Sequence, residues 1–255
     1  MIEFIRQHLL HAGALCRQGQ QTLAAADIER KGPKDLVTAV DRGVERYLVE
    51  RIVERFPGHD IIGEEEGERL SGADWCWIID PIDGTTSFCR GQAYYAVSIG
   101  LRRGGDLVAA GIYAPALDQL FLAERGSGAF LDGKRIEVSA CKRLDEAVLA
   151  TGFACLRAGL SHNNLYYLNL ILPHILDLRR CGSAALDLAY VAAGKVDGFW
   201  ELNLNLYDIA AGVLLVREAG GVVTDFFGGA DFPGRGIVAG NGRITAELLA
   251  FTGRA

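Results

Sequence analysis

One apolar run that ends in acids and hydroxyls, residues 75–86, constrains the fold of this chain more than any other feature. Residues 75–79 are apolar and β-prone, and Asp80 and Asp83 follow before Gly84. The pattern predicts a buried strand that delivers two carboxylates to a loop. The two acids repel one another unless a cation lies between them. Carboxylates suit Mg²⁺, and a glycine turn that opens a helix suits a phosphate, so we predict one pocket for both.

Composition and charge narrow the class of protein. With 255 residues, 50% of them hydrophobic, the chain can bury the core of one large domain or of two tightly joined halves. The net charge of -6 offers no broad basic surface, so we expect neither direct nucleic-acid binding nor membrane binding. The six cysteines lack C-x-x-C spacing, which argues against a zinc site and favours a reducing compartment. Since no apolar run has the length of a signal or a membrane span, we expect a soluble cytoplasmic protein.

Helical and strand patterns divide the first part of the chain. Helices are predicted at residues 2–25 and at about 37–56, where apolar residues recur with helical spacing. The polar, breaker-rich residues 31–35 between them predict a loop that could reach a site, because Asp41 follows closely. Short β-rich runs come next. These predicted strands are 60–64, 76–80, 93–102, 107–114, 119–123 and 146–151.

After Thr151 the predicted helices and strands alternate, which is typical of an α/β arrangement. The predicted helices are 163–176, 184–194, 208–219 and 243–252, and the predicted strands are 178–181, 196–201, 221–225 and 236–239. The sequence therefore predicts an α+β half, residues 1–151, packed on an α/β half, residues 152–255. We expect a site in the crevice between them.

Further acids lie at the predicted ends of strands and starts of helices. Glu64 and Glu65 end one predicted strand, Asp208 opens a late helix, and Asp41 lies on the second helix. Taken singly, a solvated loop, a helix cap and a surface acid would explain them. Hydrolysis of a phosphate monoester is among the slowest uncatalysed reactions, and catalysis by paired divalent metals needs acids from several segments. The set as a whole predicts that chemistry.

The ordered motifs of the chain resemble those of the inositol monophosphatase family of Mg²⁺-dependent, lithium-sensitive phosphatases. Three motifs carry the resemblance: Gly-Glu-Glu at 63–65, Asp-Pro-Ile-Asp-Gly-Thr-Thr at 80–86 and Asp-Ile-Ala-Ala-Gly at 208–212. Several motifs in the right order are far more specific than one. The supporting motifs are residues 35–38, 182–185, 218–221 and 238–241. The likeness thus spans nearly the whole chain.

The resemblance implies a fold and a reaction. The fold is a mixed α/β and α+β structure, a layered αβαβα sandwich of the sugar-phosphatase type, formed by residues 1–255 as a single domain. The reaction is hydrolysis of a small phosphorylated polyol by attack of a metal-activated water. The resemblance also implies two or three Mg²⁺ ions in each site and a homodimer.

It further implies roles for individual residues. The implied metal ligands are Glu64, Asp80, the backbone carbonyl of Ile82, Asp83 and Asp208, with Asp80 bridging two ions. Glu65 is implied as a supporting acid, and Thr85 with Asp41 as the pair that orients and activates the attacking water. The implied substrate contacts are the backbone N–H groups of Gly84 and Thr85 for the phosphate, and Gly182, Ser183, Ala184, Glu201 and Asp208 for the sugar alcohol.

The chain departs from the family pattern beside the last implied ligand. Tyr207 stands where most members have tryptophan, and Asn203 and Asn205 stand where glycine and a basic or small residue are expected. These changes predict a pocket of altered shape and a substrate preference that differs from that of the family's namesake. Residues 154–164, which include Arg157, follow no assignable pattern, and we interpret His162 among them as a surface-loop histidine.

Inositol monophosphate or a similar small polyol phosphate is the predicted substrate. Thr86 favours it, because relatives that act on nucleotide bisphosphates usually carry lysine or arginine at this position. Phosphatases for fructose 1,6-bisphosphate, histidinol phosphate and nucleotide bisphosphates share the scaffold and stay open as alternatives. So does a regulatory protein-binding role, since some bacterial relatives assist transcription complexes. The intact ligand set argues against a regulatory member without catalysis, but it does not exclude a second role. A metal-binding protein without turnover is the third interpretation.

Overall fold

Two helices with apolar stripes begin the fold. The computed structural model describes residues 1–24, 27–32 and 34–253. Helix α1 (Ile2–Thr22) and helix α2 (Ala39–Arg55) confirm both predicted helices with shorter bounds, and Ala25 lies outside the described residues. Helix α2 starts late because Thr38 is its N-cap. The buried stripes are Ile5, Leu9, Ala12 and Cys16 in α1 and Val44, Leu48 and Ile52 in α2.

A β-hairpin connects these helices where residues 31–35 predicted a loop, so that prediction was wrong. Strands β1 (Ile28–Gly32) and β2 (Asp35–Thr38) pair antiparallel, with Ile28 opposite Thr38. Pro33 lies outside the described residues. Gly32 lies opposite Asp35 near the turn, and the β-prone residues Leu36 and Val37 lie opposite Arg30 and Glu29. Strands this short, with charged residues among them, show no clear alternating pattern in the sequence.

An eight-stranded sheet forms from the β-rich middle of the chain. Its order is β10-β9-β8-β7-β6-β5-β3-β4, antiparallel except for the parallel pair of β3 and β5. The strands are β3 (Asp60–Gly63), β4 (Glu68–Arg69), β5 (Trp75–Asp83), β6 (Ala96–Arg103), β7 (Asp106–Ala114), β8 (Gln119–Glu124), β9 (Gly128–Leu131) and β10 (Lys134–Ile136). The predicted runs from 60 to 123 are confirmed. The sequence missed β4, β9 and β10 because these strands are only 2, 4 and 3 residues long, too short to show an alternating pattern.

The C-terminal half forms a five-stranded sheet of order β12-β11-β13-β15-β14. Its strands are β11 (Val148–Thr151), β12 (Asp177–Arg179), β13 (Gly198–Glu201), β14 (Val222–Thr224) and β15 (Ile237–Gly240). The helices after α2 are α3 (Thr85–Cys89), α4 (Ala154–Arg157), α5 (Asn164–Ile171), α6 (Ala184–Ala192), α7 (Leu206–Glu218) and α8 (Gly242–Thr252). The predicted alternation is confirmed, but the helix predicted at 163–176 ends early, in a 3-10 turn that contains Pro173.

The elements stack in five layers. Helices α1 and α2 pack on one face of the large sheet, α6 and α7 lie between the two sheets, and α5 and α8 lie beyond the small one. The predicted αβαβα sandwich is confirmed. Between the sheets, Ile112 of β7 shares a buried cluster with Leu188 of α6, Leu214 of α7 and Phe199 of β13. Packing in this central layer therefore fixes the position of helix α7, which carries Asp208 in its first turn.

Two further findings concern the helices and the cysteines. Within the described ranges, no helix is both long and apolar enough to cross a lipid bilayer. The six cysteines are free thiols, and three of them are buried.

Candidate metal and phosphate site

The first two acids lie within strand β5 itself. The predicted strand 76–80 ended at Asp80 and left Asp83 to the loop, but β5 extends to Asp83. Its register against β6 shifts between these two residues, so the strand end is bulged and turns side chains out of the regular alternation. Asp80 is 1% exposed, and its Oδ1 accepts a hydrogen bond from the N–H of Ile82 at 3.0 Å.

Asp208 joins these acids from the first turn of α7. One carboxylate oxygen from each of Asp80, Asp83 and Asp208 lies within 4.8 Å of the others. Oδ2 of Asp208 accepts a hydrogen bond from the N–H of Asn205 at 2.6 Å, which caps the helix. The helix-cap interpretation of Asp208 is therefore also correct, and Asp208 both caps α7 and joins the cluster.

Glu64 approaches from the turn that follows β3. Its Oε1 lies 3.2 Å from Nζ of Lys31, which also contacts Oε1 of Glu65. Lys31 belongs to hairpin β1–β2, so the segment expected to reach the site does so through this side chain. Sequence reasoning gave Lys31 no role, and its only signal was its place in the polar segment ahead of Asp41.

Burial and mutual repulsion raise the pKa values of the clustered acids. Burial, and then the charges of Glu64, Asp83 and Asp208, raise the pKa of Asp80 well above its usual range. Burial and Asp83 do the same for Asp208. Burial is also the main cause that raises the pKa of Asp83 to about 6 and that of Glu64 above its ordinary value. An all-oxygen donor set with this excess of negative charge fits a hard divalent cation such as Mg²⁺.

The start of α6 holds Asp83 in place. Oδ2 of Asp83 accepts hydrogen bonds from the hydroxyl of Ser183 at 2.7 Å and from the N–H of Ala185 at 2.6 Å. The Ser183 side chain also caps α6 through the N–H of Leu186. The segment predicted as part of a sugar-alcohol pocket thus contacts an acid of the cluster, and Gly182 lines a small cavity together with the three aspartates.

Thr85 and Asp41 lie next to each other beside the acids. The hydroxyl of Thr85 lies 3.1 Å from the carbonyl oxygen of Ile82 and 3.4 Å from Oδ1 of Asp41. Oδ2 of Asp41 accepts the N–H of Thr38 at 2.9 Å, so a capping box orients the buried carboxylate. Burial raises the pKa of Asp41 to about 6.

Gly84 shapes the backbone before α3. Its φ is +98°, and a Cβ there would lie 2.8 Å from the carbonyl oxygen of Tyr94. Both the left-handed conformation and the close backbone therefore require glycine. The first turn of α3 leaves backbone N–H groups without helical acceptors, beside the cluster of acids.

Two further implied residues, the supporting acid Glu65 and the substrate contact Glu201, have buried side chains at different places. Burial raises the pKa of Glu65, against the effect of Lys31. Glu201, at the end of β13, is 4% exposed, and its Oε1 accepts the N–H of Ala154 at 2.9 Å. Burial raises the pKa of Glu201 to about 7, although Arg157 and Arg180 oppose this shift.

Two cavities meet at the acids. The acid chamber has a volume of about 60 Å³ and is lined by Leu36, Glu64, Asp80, Ile82, Asp83, Gly84, Thr85, Thr86, Arg157, Gly182 and Asp208. The polar chamber has a volume of about 230 Å³ and is lined by Lys34, Glu64, Ala154, Arg157, Ala158, Asn203, Asn205, Tyr207 and Asp208. The three departures from the family pattern thus all line the polar chamber. Sequence reasoning missed Arg157, whose segment carried no motif.

Comparison with known proteins decides the family. The model of the inositol monophosphatase family matches residues 1–253. The chain belongs to the inositol monophosphatase family. The motif resemblance is thereby confirmed.

Relatives within the inositol monophosphatase family carry two kinds of name. The Nus factor SuhB of Escherichia coli K12 is 45% identical over 242 residues, which cover 94% of this chain and 90% of that protein. The inositol-1-monophosphatase of Rhizobium meliloti is 45% identical over 224 residues, 87% of this chain and 84% of that protein. The crystal structure of the extragenic suppressor protein suhB from Bartonella henselae matches with a TM-score of 0.91 and 41% identity, covering 99% of this chain and 98% of that one. Family and structure support a phosphatase.

Proposed function

We propose that the protein is a Mg²⁺-dependent phosphatase that hydrolyses the phosphate monoester of inositol monophosphate or a similar small polyol phosphate. The observation that carries the proposal is the convergence of Asp80, Asp83 and Asp208 within 4.8 Å, beside the pair of Thr85 and Asp41. Glu64, the three aspartates and the carbonyl of Ile82 would hold the metal. Mg²⁺ bound there supplies positive charge for the attacking and leaving oxygens.

Thr85 and Asp41 manage the proton of the attacking water. A hydroxyl has one proton, so Thr85 donates either to Ile82 or to Asp41 at any moment. When it donates to Oδ1 of Asp41, the Thr85 oxygen is free to accept a proton from water. With a pKa of about 6, Asp41 is ionised at pH 7 to 8 and accepts the proton in turn.

The remaining residues orient the substrate and the cluster. The N–H groups of Gly84 and Thr85 donate to the phosphate. Glu65 neutralises Lys31 and keeps it against the acids. Gly182, Ser183 and Ala184 start the helix beside the phosphate, and Ser183 keeps Asp83 in its position. Glu201 holds a hydroxyl of the sugar alcohol.

The polar chamber supports a small polyol as the leaving group. Asn203, Asn205 and Tyr207 offer hydrogen-bonding side chains, and the volume of about 230 Å³ suits one small ring. Lys34 and Arg157 also line this chamber, and two cations would suit a second anionic group. Fructose 1,6-bisphosphate, histidinol phosphate and nucleotide bisphosphates therefore remain alternative substrates on the same scaffold.

Phosphate release from a panel of substrates tests the proposal. The panel is inositol 1-phosphate, glycerol 2-phosphate, fructose 1,6-bisphosphate, histidinol phosphate and adenosine 3′,5′-bisphosphate, each with and without Mg²⁺ and then with Li⁺. We expect Mg²⁺-dependent, Li⁺-inhibited release led by inositol 1-phosphate, and none from the Asp83→Asn variant. A different leading substrate would change the named substrate. Absence of release from every compound would refute the phosphatase.

The wider setting of the enzyme is part of the proposal. We propose a cytoplasmic homodimer without direct nucleic-acid or membrane contacts, as family resemblance and a net charge of -6 imply. Light scattering on the purified chain measures the dimer, and a monomer at micromolar concentration would contradict it.

A second candidate is a regulatory, protein-binding role, which the name Nus factor on relatives 45% identical favours. Affinity capture with the wild type and with Asp83→Asn tests it. Both proteins are incubated with one bacterial cell extract, with and without Mg²⁺. If both retain Nus factors, the role is independent of phosphate release. Failure of both to retain them would dismiss it.

A further inference from the structure

A fully buried carboxylate outside the proposed machinery, Glu45, lies beside the metal-binding turn. It is 0% exposed and lies on α2, one helical turn after Asp41. Burial of a carboxylate is costly unless hydrogen bonds compensate it. The N–H groups that donate to Glu45 therefore indicate which part of the chain this carboxylate positions.

Both carboxylate oxygens of Glu45 bind the backbone of the turn after β3. Oε2 accepts the N–H of Glu65 at 2.8 Å, and Oε1 accepts the N–H of Glu66 at 2.7 Å. At Gly63, a Cβ would lie 2.2 Å from Oε1 of Glu45. Glycine at the end of β3 therefore lets the turn close around the carboxylate, and the N–H of Gly63 bonds the carbonyl of Gly67 at 3.0 Å.

The turn needs such an anchor because it carries three negative side chains in a row. Glu64 lines the acid chamber, and the charge of Glu65 helps to raise the pKa of Asp41. Glu66 points the other way, to Arg69 at 2.9 Å and Arg46 at 3.6 Å. Repulsion between Glu64 and the other acids would displace a turn whose backbone was not fixed.

We propose that Glu45 is a positioning residue, whose carboxylate clamps the backbone of residues 64–66 so that Glu64 meets Asp80 in the acid chamber. Because Asp41 and Glu45 lie on one helix, α2 also fixes the distance between the proton-accepting acid and the metal-binding turn. The part of this proposal that concerns turnover rests on the proposed function. The part that concerns metal binding does not.

The variant Glu45→Gln tests the clamp with little change of shape. Its amide oxygen can accept one N–H, but its NH₂ group faces the other N–H as a second donor. A matched control is Asp225→Asn, since Asp225 is 1% exposed and accepts the N–H groups of Phe227 and Gly229, both at 2.8 Å, in a loop after β14. Both variants lose bonds from a buried carboxylate to a turn.

Metal binding is measured on the full chain by calorimetric titration with Mg²⁺ and Mn²⁺, and stability by chemical denaturation. We expect Glu45→Gln to weaken metal binding by about 10-fold or more, as supporting partners of metal ligands do. The Mg²⁺ concentration for half-maximal phosphate release should rise by the same factor, with a much smaller fall in kcat at saturating Mg²⁺. Asp225→Asn should lose stability and keep the metal affinity of the wild type.

Two results would overturn the proposal. One is wild-type metal affinity in Glu45→Gln, and the other is an equal loss of affinity in Asp225→Asn, which would mean a general effect of stability. If Glu45→Gln does not fold, Glu45→Asp, which keeps the charge and shortens the reach, is measured in the same way, and unchanged affinity there also refutes the clamp. A wild type that binds Mg²⁺ and releases no phosphate would refute the proposed function and leave the metal-binding test of Glu45 intact.

Discussion

At the scale of single residues, the hydroxyl of Thr85 contacts two groups that come from different elements. Its hydroxyl lies between a carbonyl of the proposed metal segment and a buried carboxylate, at 3.1 Å and 3.4 Å. The β5 bulge sets the first of these distances and the N-terminus of α2 sets the second. Two separate elements thus determine the geometry of the proposed proton transfer.

The variant Thr85→Ala removes this hydroxyl. Loss of a positioned proton-transfer group typically costs about 10²-fold or more in rate, so we expect a fall of that size in kcat for phosphate release. Thr85→Ser keeps the hydroxyl and should keep most of the activity. Calorimetry with Mg²⁺ should give the same affinity for all three proteins, because the Thr85 side chain is not among the proposed ligands. Wild-type kcat in Thr85→Ala would contradict the assigned role.

Glu201 makes the stability of the metal-free protein depend on pH. Its pKa is about 7 in the folded chain against an ordinary value of 4.5, so the folded state binds this proton more tightly than the unfolded state. The free energy of unfolding therefore falls as pH rises from 4.5 to 7 and has lost this contribution above 7. At 1.36 kcal/mol per unit, the loss is on the order of 3 kcal/mol.

Glu201→Gln should remove that part of the pH dependence, because an amide does not ionise. Denaturation of both metal-free proteins between pH 4.5 and 8 measures it. Glu3→Gln, at an exposed glutamate of α1, is the control and should follow the wild-type curve. Parallel curves for Glu201→Gln and the wild type would show that Glu201 is not the group responsible.

At the scale of elements, helix α7 depends on close packing against α6. A Cβ on Gly212 would lie 2.5 Å from Cβ of Leu188, so the two helices approach where glycine leaves room. Helix α7 carries Asp208 into the cluster. The distance between α6 and α7 therefore also sets how Asp208 meets Asp83, which α6 holds through Ser183.

Gly212→Ala should reduce the free energy of unfolding by about 1–3 kcal/mol, because it overpacks this contact. Gly43→Ala is the matched control, since Gly43 lies inside α2 and a Cβ there meets nothing within 4 Å. Alanine at that exposed helical position should add about 0.5–1 kcal/mol. Chemical denaturation measures both changes. The same sign of change in the two variants would refute the packing argument.

At the scale of the whole molecule, the site draws its acids from the large sheet and from the helices that lie between the two sheets. The large sheet provides Asp80 and Asp83, and the central helices that pack on both sheets provide Ser183 and Asp208. We propose that residues 1–255 are a single domain for this reason, since α6 and α7 belong to the core of both halves. One cooperative unfolding transition would support it, and two separate transitions would contradict it.

Mg²⁺ should stabilise the whole fold. A ligand that binds only the folded state at 100 times its Kd adds about 2.7 kcal/mol, which corresponds to a rise in Tm of roughly 5–10 °C for a chain of this size. Thermal unfolding with and without Mg²⁺ measures the rise. Asp83→Asn should lose it, and should have the higher Tm without metal because one repelling charge is gone. A wild-type Tm indifferent to Mg²⁺ would count against the metal site.

The sequence by itself determined the order of the main elements and the identity of the clustered acids. Apolar stripes and alternating runs predicted most helices and strands, because burial of one face imposes a period on the chain. Motif order predicted Asp80, Asp83 and Asp208 together. Short or polar elements such as β4 and hairpin β1–β2 carry no such period, so the sequence could not separate them from loops.

Only the tertiary structure decided which distant residues meet. In the sequence Glu45 is one more acid on a helix, and only the fold places its carboxylate against the backbone N–H groups of Glu65 and Glu66. Lys31 likewise contacts Glu64, and Arg157 lines both chambers, from segments without motifs. Contacts between residues far apart in the chain depend on how the layers pack, and a local sequence pattern does not predict that packing.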